Sequence, residues 1–171
     1  MERVNTLINH IINGTLEGYN HPGGGLSKHG ITLIVLKRVR DDYSLTRDDL
    51  DKLTEDEARA IYEKIFIHDP GFNGIRDERI KCFCVESGIT HGPNRAVTWL
   101  QRVVGAKIDG KIGRATLEKI NKIGPDIVFM RLVALRIRFY GMIISDNYEN
   151  YVFASDWLGR VADFLDDGVG Y

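Results

Sequence analysis

The spacing of apolar side chains along the chain predicts a mostly α-helical protein. Near the start, apolar residues recur at the three- and four-residue intervals of an amphipathic helix that would end near Glu17. The residues that set this pattern are Val4, Leu7, Ile8, Ile11, Ile12 and Leu16. Similar spacing predicts further helices over about 54–65, 76–88, 93–104, 114–123 and 157–165. Beyond Pro125, the strongly apolar segment 126–144 predicts a central helix wrapped by others.

Glycine and proline positions predict where these helices stop. The segment from Gly18 to Gly30 holds five glycines and a proline, which predicts a loop or a short irregular hairpin after the first helix. A second break is predicted over 88–92, and Pro93 is placed to begin the next helix. Asp109-Gly110 predicts a tight turn, because this pair readily supplies positive φ.

Length and composition indicate one folded domain over residues 1–171, in which 93–123 would form a small helical lobe. Hydrophobic residues make up 43% and charged residues 27% of the chain, which excludes a disordered chain, a collagen or a coiled coil. No apolar run is long enough for a membrane helix, and the N-terminus lacks the pattern of a signal peptide. We therefore expect no stable membrane insertion.

The net charge of −1 argues against a protein built chiefly to bind nucleic acid. Charge is nevertheless unevenly distributed, because residues 71–140 hold thirteen basic and six acidic side chains. This basic stretch either meets an anionic polymer or simply forms solvated helix faces.

Cysteine and histidine positions indicate no metal or redox site. Cys82 and Cys84 have apolar neighbours and are expected to be buried thiols that pack as small hydrophobes. The five histidines lack metal-ligand spacing, so no metal and no cofactor are expected.

Glu17 is our candidate for a catalytic acid. A carboxyl at the end of a helix faces the negative end of the helix dipole, and partial burial beside Leu16 and Tyr19 would desolvate it. Both effects raise a carboxyl pKa, and a protonated acid is what glycosidic cleavage requires. The neighbouring glycines would let the backbone approach a bulky sugar chain closely.

Several motifs, in order along the chain, resemble glycoside hydrolase family 108, the N-acetylmuramidases of the lysozyme superfamily. LEGYNHPGGGLSKHGIT at 16–32 is similar to the opening signature of the family, and LTEDEARAIYEKIF at 53–66 is similar to its Thr-x-x-Glu-Ala helix. The segment 92–117 resembles its peptidoglycan-binding-like region, and RFYGMI and DWLGRV resemble its closing helices. The resemblance implies a lysozyme-like helical fold with a short irregular or β-hairpin insertion after the first helix.

The resemblance also implies the site residues. It places the catalytic acid on Glu17 and gives Thr32 the role of orienting a water or a sugar hydroxyl. The implied substrate-binding residues are Tyr19, Ser27, Lys28, His29 and Gly30.

The chain departs from the family pattern at several positions that affect the second catalytic group. It reads Glu-Gly-Tyr where the family has Glu-Gly-Gly-Tyr, and it lacks the Asp before the paired glycines. Cys82 and Glu86 stand where the family has Asp and Asn. Thr32 with a bound water is our first candidate for the second group and Glu86 our second, so retention or inversion of configuration stays open.

From this resemblance we expect a monomeric peptidoglycan hydrolase that cleaves the β-1,4 bond between N-acetylmuramic acid and N-acetylglucosamine. Its partners would be peptidoglycan glycan strands, not nucleic acid. Without a signal peptide, it would wait in the host cytoplasm for release to the cell wall as a phage endolysin, or be carried on the virion. The alternative is a non-catalytic cell-wall-binding module that retains the lysozyme-like fold.

Overall fold

A helical bundle with one small β-hairpin makes up the described residues, 2–14 and 27–166 of a computed structural model. The helices are α1 (Glu2–Ile12), α2 (Leu33–Arg40), α3 (Arg47–Asp51), α4 (Glu55–Tyr62), α5 (Glu78–His91), α6 (Pro93–Val103), α7 (Arg114–Ile123), α8 (Pro125–Asp146) and α9 (Ala154–Asp166). Strands β1 (Ser27–Lys28) and β2 (Ile31–Thr32) form the hairpin. A π-helical turn covers Glu63–His68, and 3-10 turns cover Phe72–Gly74 and Tyr148–Phe153. The mostly α fold with a hairpin after the first helix is confirmed.

Most predicted helix starts agree with the structure because they rest on local capping chemistry. Thr54 caps α4 by accepting a hydrogen bond from the Glu57 amide, and the Glu57 carboxylate accepts one from the Thr54 amide. Pro93 occupies the first turn of α6, where its missing N–H costs nothing. The predicted helix over 114–123 matches the bounds of α7.

Two predicted helix ends are wrong. The first helix stops at Ile12, five residues before Glu17, and Gly14 adopts a left-handed φ of 65° just beyond it. Glu17 and Tyr19 lie outside the described residues. The break predicted over 88–92 occurs only at Gly92, where φ is 90°, because α5 continues through the buried Gly88 to His91.

Helix α5 is the centre of the bundle, and α1, α6 and α8 pack around it. Every residue from Ile80 to Gly88 is buried, so this helix has no solvent-facing side over more than two turns. Cys82 and Cys84 are fully buried thiols that form no disulfide, as predicted.

The prediction that α8 is the wrapped central helix is wrong. Its inner face is buried, but its outer face leaves large apolar side chains between 43% and 58% exposed. These side chains are Ile127, Met130, Ile137 and Met142. Apolar composition alone does not distinguish a fully wrapped helix from one that keeps an apolar face toward solvent.

A buried ion pair joins α5 to α8. Both carboxylate oxygens of Glu86 accept hydrogen bonds from Arg136, one of them from Nη2 to Oε1 at 2.9 Å, and both side chains are fully buried. Arg160 on α9 lies 3.9 Å from the same carboxylate. Burial tends to raise the pKa of Glu86, but the charge and hydrogen bonds of Arg136 outweigh it and hold that pKa below its ordinary value.

The ion pair continues into a chain of polar groups. Arg136 Nε donates a hydrogen bond to the Tyr140 hydroxyl at 2.9 Å, and that hydroxyl lies 3.1 Å from His91 Nε2. Burial, followed by the nearby charge of Arg136, lowers the pKa of His91 to about 4. His91 is therefore neutral near pH 7, and its Nε2 shares a hydrogen bond with the Tyr140 hydroxyl.

We expect Glu86→Gln to lower the free energy of unfolding by about 3–5 kcal/mol, because it leaves the Arg136 charge buried without a counter-charge. Glu118→Gln is the matched control. Its carboxylate pairs with Arg114 at the surface and is 61% exposed, so its loss should cost less than about 1 kcal/mol. Urea unfolding measures the free energy of unfolding of both variants. Equal, small losses in the two variants would show that the ion pair between Glu86 and Arg136 does not stabilise the bundle.

The lowered pKa of His91 predicts a loss of stability in mild acid. Below pH 6.5 the unfolded chain binds a proton at His91, whereas the folded chain binds it only near pH 4 and below. Falling pH therefore favours unfolding. Between pH 6.5 and 5 this amounts to about 2 kcal/mol. His91→Gln should remove that part of the pH dependence, whereas His68→Gln, at an exposed position, should leave it in place.

Candidate active site

The hairpin after the glycine-rich segment closes through a two-residue turn. Ser27 pairs with Thr32, and Lys28 pairs with Ile31. The two turn residues both have positive φ, 51° at His29 and 74° at Gly30, which is the type I′ geometry that suits the right-handed twist of a hairpin. This geometry explains why glycine stands at position 30.

Three contacts fasten the hairpin to the helices. Burial raises the pKa of the Tyr62 hydroxyl, which stays protonated and donates to the His29 carbonyl at 3.2 Å. His29 Nδ1 donates to the Ile12 carbonyl at 3.3 Å, and Lys28 donates to the Asp51 carbonyl. The end of α1 and the hairpin turn are therefore held side by side.

A cleft of about 510 Å³ opens beside this turn. Its lining comes from the hairpin and α2, from the π-helical turn and the end of α5, and from the start of α6. Its lining includes Gly30, Ile31, Val35, Arg38, Lys64, Phe66, Asp69, Thr90, Asn94 and Gly110. The volume lies within the range of about 300–1,000 Å³ that is typical of ligand pockets.

The π-helical turn brings two charged side chains, Lys64 and Asp69, into the lining of the cleft. The Asp69 amide donates to the Lys64 carbonyl, a five-residue step that brings the two side chains together. Lys64 Nζ then donates to both carboxylate oxygens of Asp69, at 3.2 Å each. Arg38 is the other charged side chain of the described lining, and it makes no hydrogen bond or ion pair within the described residues.

Among the described site residues named from the resemblance, Gly30 alone lines the cleft. Ser27 is exposed, and the Lys28 and His29 side chains hold the hairpin in place. The Thr32 hydroxyl caps α2 by accepting a hydrogen bond from the Val35 amide at 3.3 Å.

The hypothesis that Glu86 is a second catalytic group is wrong. Its side chain is fully buried, and both of its oxygens are bound to Arg136, so it offers no oxygen to a substrate.

Asp69 is the carboxylate that sequence reasoning missed. It lies in the segment HDPGFNG, which predicted only a turn, and its proximity to Lys64 depends on a π-helical step that periodicity does not reveal.

The Asp109-Gly110 turn contributes Gly110 to the lining of the cleft, and the buried Gln101 holds this turn in place. Gln101 Nε2 donates to Asp109 Oδ1 at 2.8 Å and to the Lys111 carbonyl at 2.9 Å, while its oxygen accepts from the Gly110 amide at 3.1 Å. The Asp109 carboxylate also accepts a hydrogen bond from the Lys111 amide. The turn-forming role predicted for Asp109 is confirmed.

The described residues contain no cluster of three or more His, Cys, Asp or Glu side chains that could hold a metal ion. A search of the same residues finds no helix of the length and hydropathy that crossing a membrane requires.

Comparison with known families divides the chain into two matched segments. Residues 14–92 match the family described as Glycosyl hydrolase 108, and residues 95–162 match the family described as Predicted Peptidoglycan domain. We call residues 14–92, which match this first family, the glycosyl hydrolase 108 segment. The resemblance drawn from the motifs is confirmed, and the two matches support a glycoside hydrolase that acts on peptidoglycan.

The solved structure of Brucella abortus SagA is similar to the whole chain in fold. It has a TM-score of 0.80 and 24% sequence identity, over 98% of this chain and 94% of that chain. No curated protein matches the chain. The glycosyl hydrolase 108 segment contains the hairpin, the π-helical turn and α5. The second matched segment begins within α6, which also contributes to the lining of the cleft.

The hairpin turn predicts a specific sensitivity to side-chain bulk. A Cβ at Gly30 would lie 2.3 Å from the Tyr62 hydroxyl oxygen and 2.8 Å from Ile11 Cγ2. Gly110 has the same φ of 74° but open space around it, so Gly110→Ala reports the backbone strain alone. We expect Gly30→Ala to lower the free energy of unfolding by about 1–3 kcal/mol more than Gly110→Ala, measured by urea unfolding. Equal losses would show that the contact with Tyr62 does not constrain the turn.

Proposed function

We propose that this protein is an N-acetylmuramidase that hydrolyses the β-1,4 bond between N-acetylmuramic acid and N-acetylglucosamine in peptidoglycan, with Glu17 as general acid. The observation that carries the proposal is the cleft beside the His29-Gly30 turn, most of whose lining lies within the glycosyl hydrolase 108 segment. The motif similarity of residues 16–32 to the opening signature of that family supports Glu17 as the acid.

The way in which the hairpin is anchored supports the proposal that Glu17 acts as the general acid at this cleft. Glu17 follows Ile12 by five residues and precedes Gly30 by thirteen. Ile12 and His29 are hydrogen-bonded to each other, and Gly30 lines the cleft. The two described flanks of the segment that carries Glu17 are therefore held next to each other, and one of them lines the cleft.

The reaction needs a second group across the scissile bond from the acid. In a retaining enzyme that group is a carboxylate that attacks the sugar carbon, and in an inverting enzyme it activates a water. Thr32 remains our sequence-based candidate for orienting a water. Asp69 is a candidate on geometric grounds, because it is the carboxylate of the described cleft lining.

A non-catalytic cell-wall-binding module is the second candidate function. The ion pair between Lys64 and Asp69 favours it, because a carboxylate that is bound through both oxygens is less available to a substrate or a water. Such a module would keep the cleft and bind glycan strands without cleaving them.

Glu17→Gln should slow the clearing of a purified peptidoglycan suspension by about 10²–10⁴-fold, because the amide cannot protonate the leaving oxygen. Glu118→Gln, a surface change of the same kind on α7, should clear at the wild-type rate. Reducing-end analysis of the released fragments should show N-acetylmuramic acid at the new ends.

Each contrary outcome points to a different error. Equal clearing by the wild type and Glu17→Gln would remove Glu17 from the mechanism. Binding without clearing by the wild type would establish the binding module, and N-acetylglucosamine at the new reducing ends would indicate a glucosaminidase. Asp69→Asn, assayed beside Thr32→Val, would show which of the two supports turnover.

A further inference from the structure

A second concave surface lies away from the cleft, between α6 and α8. We call it the α6–α8 groove; it has a volume of about 630 Å³, and its lining residues all belong to these two helices. Its apolar wall includes Trp99, Ile127, Met130, Leu135, Phe139 and Met142. Met130 and Met142 are 58% and 53% exposed, so the groove is an apolar surface left open to solvent.

Arginines are the charged residues of this groove. Arg102, Arg131 and Arg138 belong to its lining, and no acidic residue does. The Arg131 side chain donates to the Val103 carbonyl at 3.1 Å, whereas the guanidinium groups of Arg102 and Arg138 make no hydrogen bond or ion pair within the described residues. A fourth cation, Arg95, lies over the Phe139 ring at 5.0 Å. The groove therefore combines apolar contact area with arginines that pair with no carboxylate among the described residues.

The length of the groove fits a short extended peptide. From Ile127 to Met142 the groove runs about 22 Å, which is room for about six extended residues.

We propose that the α6–α8 groove binds the peptide stem of peptidoglycan, with its carboxylates on Arg102 and Arg138 and its alanine methyl groups against the apolar wall. A stem is a short peptide that carries free carboxylates beside small apolar side chains, and this composition matches the groove. The lining residues also lie within the segment 95–162 that matches the peptidoglycan domain. The inference rests on the proposed function, since both require peptidoglycan as the substrate.

A direct binding measurement tests this site separately from catalysis. The probes are a soluble stem tetrapeptide, the disaccharide of N-acetylglucosamine and N-acetylmuramic acid bearing that stem, and the same disaccharide without it, each titrated into the wild-type protein by calorimetry. Both stem-bearing probes should bind with similar affinity. Raising the salt concentration should weaken them, because the charge–charge attraction is screened.

Matched substitutions locate the binding. The double variant Arg102→Gln with Arg138→Gln should raise the Kd for the tetrapeptide by about tenfold or more, because two charge-assisted hydrogen bonds are lost. The control is Arg47→Gln with Arg114→Gln, which removes the same charge from exposed arginines on α3 and α7 and should leave Kd unchanged. Ala134→Phe keeps every charge but fills the groove, and it should also weaken binding. Thermal unfolding of each variant confirms that it is folded.

Two results would overturn the proposal. These are an unchanged Kd for the tetrapeptide in the Arg102→Gln with Arg138→Gln variant, or no binding of the tetrapeptide to the wild type. Two other results would assign the groove to a different occupant: binding only to phosphatidylglycerol vesicles, or a wild-type dimer in sedimentation equilibrium that Ala134→Phe dissociates. If the wild type clears peptidoglycan but binds no stem, only this inference fails; if it binds the stem but clears nothing, only the proposed hydrolase activity fails.

Discussion

The ion pair between Glu86 and Arg136 is the constraint on which the bundle depends. Neither charge can return to water, because both side chains are fully buried, so each relies on the other for compensation. The pair fixes the rotation of α8 relative to α5, and Arg160 brings α9 to the same point. Glu86 lies in the glycosyl hydrolase 108 segment and Arg136 in the second matched segment, so one interaction joins the two in the core.

The cleft follows from where α5 ends. Gly88, Thr90 and Gly92 line it near the end of this buried helix, and α6 turns away at Pro93 to form a wall. The facing wall depends on the hairpin, which the Tyr62 hydroxyl holds at the His29 carbonyl. The core thus fixes one side of the cleft, and the few hydrogen bonds that fasten the hairpin to the helices fix the other.

Much of the helical architecture could be predicted from the sequence because its signals are local. The capping box at Thr54, the proline at the start of α6 and the Asp109-Gly110 turn each act within a few residues. The first helix was predicted too long because Leu16 continues its apolar spacing, whereas the chain leaves the helix at Gly14. Contacts between residues far apart in the sequence could not be predicted. The partner of Glu86 lies fifty residues away, and nothing near either residue indicates the pairing.

The two cysteines have a consequence for the conditions under which the fold can exist. Cys82 and Cys84 are fully buried, and burial raises the pKa of the Cys84 thiol far above its ordinary value. Oxidation and disulfide exchange both proceed through an accessible thiolate, which this arrangement withholds. The bundle therefore needs neither a disulfide to form nor a reducing agent to persist. A change from a reducing to an oxidising medium leaves these two thiols as they were.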